Sequence, residues 1–266
     1  MTGKLLLLTG ASGALGRKFA PALAARGYRL RLSDIAAFPD PLPAGADFVQ
    51  ADLADAGAVE ALVQGVDCIL HFGGISTERP WADIIGPNIL GVVNIFEAAR
   101  HQRQRVVFAS SNHTIGFYPR GQDLTITDPP RPDGYYGLSK VWGEVLGRMM
   151  YDKHGLESVH LRIGSAIDCP TEARHLSTWL SFDDLLAAVL AAIEAQAVGH
   201  AVVWAVSANR ARWWHGDDAA RIGFVAKDNA GDHAPLPVKD SIIAQRYQGS
   251  SFAAQGYSRE ADDDHA

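Results

Sequence analysis

Cysteine is scarce in this chain: two residues, Cys68 and Cys169, among 266. There is no signal-peptide pattern and no apolar run long enough to span a bilayer. The two thiols therefore point to a reduced, cytoplasmic setting rather than a disulfide framework. Positive charge is also in short supply. The formal net charge of -6 at pH 7 argues against a general nucleic-acid surface or an anionic membrane surface, so an anionic ligand must be held locally. Repeats and low-complexity linkers are missing too. With 47% apolar and 20% charged residues, the composition is that of a soluble α/β protein of one or two domains with a large core.

What is present is organised around residues 5–16, LLLLTGASGALG. The leucines read as a buried strand, not an export signal. They run into Gly10, Gly13 and Gly16, ahead of an alanine-rich helix over residues 19–26. Glycine lets backbone approach a ligand closely, and the unpaired N–H groups of a first helical turn, here around Ala14 and Leu15, point at an anion. A dinucleotide pyrophosphate is the natural occupant, although the GxxGxxG spacing alone is common to many Gly/Ala-rich turns. A second strand, residues 29–33, ends on Asp34, where a carboxylate accepts hydrogen bonds from the adenosine ribose and repels a 2′-phosphate. That favours NAD over NADP; a plain turn aspartate is the alternative. A third strand, residues 48–50, leads to Asp52 and Leu53. Asp52 can meet the adenine amino group or, equally, cap a helix over residues 54–64.

Residues 67–72, DCILHF, are a nearly continuous apolar run followed by Gly73 and Gly74. Such runs belong to parallel strands covered on both faces, and glycines at the carboxyl end leave room for a cofactor. Cys68 reads as a core thiol. His71 reads as a packed, hydrogen-bonded residue, because no second His or Cys stands at ligand spacing, and no metal site is expected. A polar loop with Ser76 precedes a helix over residues 88–100, with Pro87 in its first turn. A fifth strand, residues 105–109, delivers Ser110, Ser111, Asn112 and His113 to the carboxyl edge of the sheet. The helix that follows, to about residue 154, carries Tyr136 and Lys140 on one face. An ammonium beside a phenol favours the phenolate and tunes it towards a base. The β-α alternation predicts a Rossmann-type doubly wound parallel sheet.

These residues carry a resemblance. Gly10-Ala-Ser-Gly-Ala-Leu-Gly16, Asp34, Ser111 and Tyr136-Gly-Leu-Ser-Lys140 look like extended-type short-chain dehydrogenase/reductases, relatives of NAD-dependent epimerases and dehydratases. HFGGIS (71–76), SSNHTIG (110–116), RPDG (131–134), RIGS (162–165) and LSTW (176–179) narrow the likeness to uronate dehydrogenases. VW (203–204), SAN (207–209), Trp213-Trp214 and KDNA (227–230) extend it over almost the whole chain. The resemblance implies NAD-dependent oxidation of a hexuronic acid, such as glucuronate or galacturonate, at C1 to the aldarolactone, which hydrolyses to the aldarate. Tyr136 would be the general base, Lys140 would depress its pKa and bond the nicotinamide ribose, and Ser111 would hold the reacting oxygen. Cofactor contacts would come from Gly10, Gly13, Ala14, Leu15, Gly16, Asp34, Asp52, Leu53, Gly73, Tyr136, Lys140 and Ile163. Ser76, Ser111, Asn112, His113, Tyr136, Ser165 and Arg174 would hold the sugar and its carboxylate, in a homo-oligomer.

Arg174 lies in the loop over residues 165–179, between a sixth strand, Ser158–Ile163, and a helix from Phe182. Its guanidinium offers two parallel donors matched to a carboxylate. Read from the residues alone, Arg174 is equally a solvated loop residue and His113 a turn residue bonded to backbone. Residues 1–164 would form the NAD-binding core. Residues 165–266 would form a smaller substrate-binding and C-terminal region that does not fold independently, with a helix over 183–196 and a strand over 201–206. Residues 204–221 are expected near the sugar, Trp213 and Trp214 in core or interface, and residues 258–266 as a solvated end; Cys169 has no evident role. Two further readings remain. A nucleotide-sugar epimerase or dehydratase shares the superfamily motifs but needs a larger C-terminal region. A non-catalytic dinucleotide sensor needs neither Tyr136, Lys140 nor Ser111, all of which are present.

Overall fold

Alternation within the leucine run decides the architecture. In β1 (Leu5–Thr9), Leu6 and Leu8 join one core cluster and Leu7 another, all fully buried, so apolar layers must cover both faces of the sheet. The computed structural model, which describes residues 3–233, 240–254 and 256, supplies those layers. The expected solvated end over 258–266 lies outside the described residues. After β1 come β2 (Arg29–Asp34), β3 (Ala46–Gln50), β4 (Cys68–His71), β5 (Arg105–Ser111), β6 (Ser158–Ile163), the two-residue strands β7 (Ser165–Ala166) and β8 (Trp179–Leu180), and β9 (His200–Ala205). Seven of them form one parallel sheet in the order β3-β2-β1-β4-β5-β6-β9; β7 and β8 pair separately. The chain reverses its direction of travel across the sheet between β1 and β4, which opens a crevice at the carboxyl ends.

On one face, α1 (Ala14–Ala24) packs Phe19 and Leu23 against the sheet. On the other lie α2 (Ala56–Val63), then a short α3 (Trp81–Ile84), α4 (Gly91–Gln102) and the long α5 (Tyr135–His154), which contribute Val59, Leu62, Ile95, Phe96, Leu146 and Met150. The helix expected over 88–100 starts earlier, because α3 passes through a π-helical segment, Ile85–Leu90, directly into α4. Pro87 thus sits inside that wider turn rather than in a first turn; a π turn absorbs the N–H that proline lacks. Against the expectation that no apolar run is long enough to span a bilayer, the stretch Trp81–Gln102 has the length and composition to cross one. Here its Ile95 and Phe96 pack in the core and Asn88 bonds α5.

Beyond β6 the elements shorten. A one-turn α6 (His175–Thr178) precedes α7 (Phe182–Glu194), whose Leu185 and Val189 complete the layer beside α1. β9 then extends the sheet along β6, and α8 (Ala219–Ile222) and α9 (Ile242–Arg246) follow. A third cluster, with Ile115, Tyr118, Leu124, Trp204, Trp213 and Trp214, forms under this region, so both tryptophans of the pair are core residues.

Candidate active site

At the carboxyl edge of the sheet a cavity of about 860 Å³ opens among the loops that follow β1, β2, β4, β5 and β6. Its first wall is the glycine turn. Gly10 has φ +72, a side chain there would stand 2.5 Å from the Phe72 carbonyl, and one at Gly16 would strike the Gly10 carbonyl. Helix α1 begins after Gly13 with no side-chain cap and no acidic residue in its first turn, which leaves its leading N–H groups free for an anion. At the end of β2 the Asp34 carboxylate accepts from Ser12 N at 3.0 Å and Ala36 N at 3.1 Å, and so faces the cavity in a fixed position. Asp52, Leu53, Gly73 and Ile163 line the same space. Of the two readings of Asp52, the helix cap goes to a different residue: Asp55 accepts from Ala58 N at 3.1 Å, while Asp52 bonds Ala54 N in a turn. An uncapped helix start, close-approach glycines and a strand-end carboxylate together fit a dinucleotide.

The chemistry-bearing wall is built by β5 and α5. Ser111 ends β5 and caps a 3-10 turn, Asn112–Ile115, by accepting from His113 N at 3.2 Å. His113 Nδ1 pairs with the buried Asp133 carboxylate at 2.7 Å. At the start of α5, the Glu78 carboxylate accepts from Tyr135 N and Tyr136 N, each at 2.9 Å, and so fixes the turn that carries the phenol. Lys140, one turn on, places Nζ 5.5 Å from the centre of the Tyr136 ring and 5.0 Å from that of Phe108. Ser76, Ser111, Asn112, His113, Tyr136 and Lys140 all line the cavity.

The electrostatics correct one expectation. Burial pushes the Tyr136 phenol up to about 12, a hydrogen bond with Ser111 draws it down, and Asp133 raises it. Burial also takes Lys140 down to about 8. In the protein alone, desolvation dominates at both groups, and Ser111 is the group that favours the phenolate.

Ser165 and Arg174 also depart from expectation, since neither lines the cavity. Arg174 is buried one layer behind Asn112. Its Nε donates to Gln248 O at 2.8 Å and its Nη1 to Ser165 Oγ at 3.0 Å and Thr178 Oγ1 at 3.3 Å. With the Asn112 amide oriented to satisfy its neighbours, its nitrogen donates to Ile163 O and its oxygen accepts from Arg174 Nη2, both at 3.0 Å. Among the described residues, the oxygens hydrogen-bonded to this guanidinium are neutral, and the Glu172, Asp133 and Asp240 carboxylates act on it only from a distance. Burial lowers its pKa to about 10. A buried cation without a bonded carboxylate is poised for an anion. Residues 204–221 do not reach the cavity either; Trp214 acts from the third core cluster by donating to Gln248 Oε1 at 2.7 Å.

Four residues around the site escaped the sequence reading. Glu78 and Asp133 act on Tyr136 and His113 from distant or loop positions, and Gln248 supplies the carbonyl for Arg174. Asn88 Oδ1 accepts from Ile75 N at 2.8 Å while Nδ2 donates to Ile75 O and to Ser139 Oγ, which pins the loop of Ser76 to α5. Asn88 left a signal as a polar residue on the apolar face of a helix, while Asp133 and Gln248 fall in the stretches 131–134 and 248–252 that carry the resemblance without a role attached to either. His71 is as expected, with Nδ1 2.9 Å from Thr9 Oγ1 in the core. Cys68 is buried and Cys169 exposed, both free thiols.

Residues 6–233 match the family model described as the NAD dependent epimerase/dehydratase family. The chain belongs to that family. Within it, the chain is 46% identical over 258 residues to a uronate dehydrogenase of Pseudomonas syringae pv. tomato, covering 94% of each protein. The crystal structure of uronate dehydrogenase from Agrobacterium tumefaciens superposes with a TM-score of 0.89 at 45% identity, over 95% of this chain and 97% of that one. A tyrosine-to-alanine mutant of the A. tumefaciens enzyme complexed with NAD superposes at 0.87, with 44% identity over 94% and 97% of the two chains. This epimerase/dehydratase-family chain is thus similar to uronate dehydrogenases from end to end, and its cofactor is NAD.

Proposed function

We propose that the chain oxidises hexuronic acids at C1 to the aldarolactone with NAD. The observation that carries this reading is the buried Arg174 guanidinium, bonded among the described residues by neutral oxygens, directly behind the wall that holds Tyr136, Lys140 and Ser111. Gly10, Gly13, Ala14, Leu15, Gly16, Asp34, Asp52, Leu53, Gly73 and Ile163 would hold the cofactor. Bound NAD supplies the hydride acceptor and, when oxidised, a positive ring that favours a nearby phenolate. Tyr136 takes the C1 hydroxyl proton at its phenol oxygen, Ser111 holds the reacting oxygen, and Lys140 keeps positive charge beside both. Asn112, His113 and Ser76, which line the cavity, bond the sugar hydroxyls, while Ser165 stands behind them on the Arg174 guanidinium. For the substrate carboxylate to reach Arg174, the Asn112 amide or the Ser165 hydroxyl gives up its bond to the guanidinium.

The test is NADH formation with NAD or NADP and, in parallel, glucuronate, galacturonate, glucose and UDP-glucose. Turnover of the uronates with NAD but not of neutral glucose supports carboxylate recognition. Conversion of UDP-glucose without net NADH hands the case to an epimerase, and silence throughout leaves a sensor. We also infer a homo-oligomer of cytoplasmic location. On α5, Leu138, Trp142, Val145 and Met149 are exposed at the alternating four- and three-residue spacing of a helix-packing seam, which a two-fold copy of the same helix would cover. Light scattering reads the mass, and the two free thiols suit a reducing compartment.

A further inference from the structure

Arg174 reaches the cavity wall through its two Nη atoms, and the remaining donor, Nε, is spent on Gln248 O at 2.8 Å. A guanidinium is planar, so the position of that one carbonyl sets the plane in which both Nη atoms are presented. Gln248 itself is fully buried, and its amide has no free valence. Oε1 accepts from Trp214 Nε1 at 2.7 Å, Nε2 donates to Gln122 O at 2.8 Å and Pro119 O at 3.2 Å, and its backbone N donates to Tyr118 O at 3.0 Å. Trp214 is equally fixed, stacked on Trp204 with ring centres 5.2 Å apart. Neither Gln248 nor Trp214 lines the cavity. A buried glutamine costs free energy unless each polar atom is bonded, and here all three bonds serve to immobilise the backbone at one residue.

We propose that Gln248, held by Trp214, is a positioning residue for carboxylate specificity: it aims Arg174 without touching substrate. This rests on the reading of Arg174 as the carboxylate donor. The C-terminal segment is then part of the recognition apparatus, and selectivity for an acidic sugar depends on a tryptophan–glutamine bond one layer removed from it.

Trp214→Phe keeps an aromatic ring against Trp204 and deletes the indole N–H together with part of the buried ring system. The expected result is a rise of about tenfold in the KM for glucuronate, with kcat and NAD affinity within about twofold of the parent. Arg174→Lys provides the decisive background, because lysine has no Nε–H for the Gln248 carbonyl. There Trp214→Phe is expected to leave KM where Arg174→Lys alone puts it. Gln248→Met, close in volume and uncharged, removes the bonds to Trp214, Gln122 and Pro119, is expected to show the same KM effect, and with NAD affinity retained guards against misfolding of the first variant. Equal rises of KM on both backgrounds, a fall in kcat at constant KM, or no change in KM overturns the proposal. Parent enzyme that fails to oxidise glucuronate with NAD overturns the reading of Arg174 instead, and the two failures are told apart in one experiment.

Discussion

The residues up to the end of β6 and those after it contribute to the site in different ways. Before that point, site groups sit at strand ends or in the first turns of helices: Gly10, Asp34, Gly73, Ser111 and Tyr136 each follow from a local pattern of apolar run, turn and helix start. After it, Ser165 and Arg174 stand in a stretch with two-residue strands and a one-turn helix, and are held by Thr178, Asn112 and Gln248. Periodic backbone hydrogen bonding orients the first set, with the Glu78 carboxylate as a long-range addition at Tyr136. Side-chain bonds spanning up to 74 residues orient the second. Cofactor geometry is therefore robust to change elsewhere, whereas substrate geometry depends on distant side chains.

The largest break in the comparison comes from Tyr136→Phe. Helix α5 and its Glu78 cap are untouched, so folding and NAD affinity persist, while the rate of NADH formation falls by about a thousandfold. Arg174→Ala tests the other region. It raises the KM for glucuronate about a hundredfold with NAD affinity unchanged by calorimetry; a matching loss of NAD affinity would place the arginine in the cofactor half. Asp34→Asn sharpens the local side. It removes the charge that repels a 2′-phosphate, and the ratio of kcat/KM for NAD over NADP is expected to drop by about tenfold.

The smallest effect is on stability. Burial lowers the His71 pKa from 6.5 to about 3, with Lys140 acting in the same direction. The unfolded chain therefore takes up a proton below pH 6.5 that the fold refuses. The stabilisation is complete above that pH and is lost as pH falls towards 3. In His71→Gln the urea midpoint should depend on pH less steeply in this window, by about one proton; an unchanged slope would mean that His71 is protonated in the folded state.

Legibility in the sequence follows the same division. The four leucines, DCILHF and the 105–109 run revealed their strands because parallel strands buried on both faces require unbroken apolar residues. The Tyr136–Lys140 spacing placed both groups on one helix face, as found. The upward push of burial on the phenol left no mark in that spacing, because desolvation is determined only by packing. Pro87 was misread because a π turn leaves no periodic mark of its own. Glu78, 58 residues from its Tyr136 partner, had no local signature, and the 248–252 stretch resembles the family's C-terminal tail without showing that Gln248 meets Arg174, 74 residues away.

From sequence alone came the layered parallel sheet, the glycine turn with its acidic strand end, and the candidates for the reactive side chains. All are short-range matters, set by period, by turn chemistry and by which side chains carry protons. Tertiary structure decided which groups are desolvated, that Asp133 rather than solvent pairs with His113, and that Arg174 is buried behind Asn112 and aimed by the C-terminal segment. Burial and hydrogen-bond partnership are properties of the packed chain, and the energies that tune this site exist only once residues far apart in sequence exclude water together.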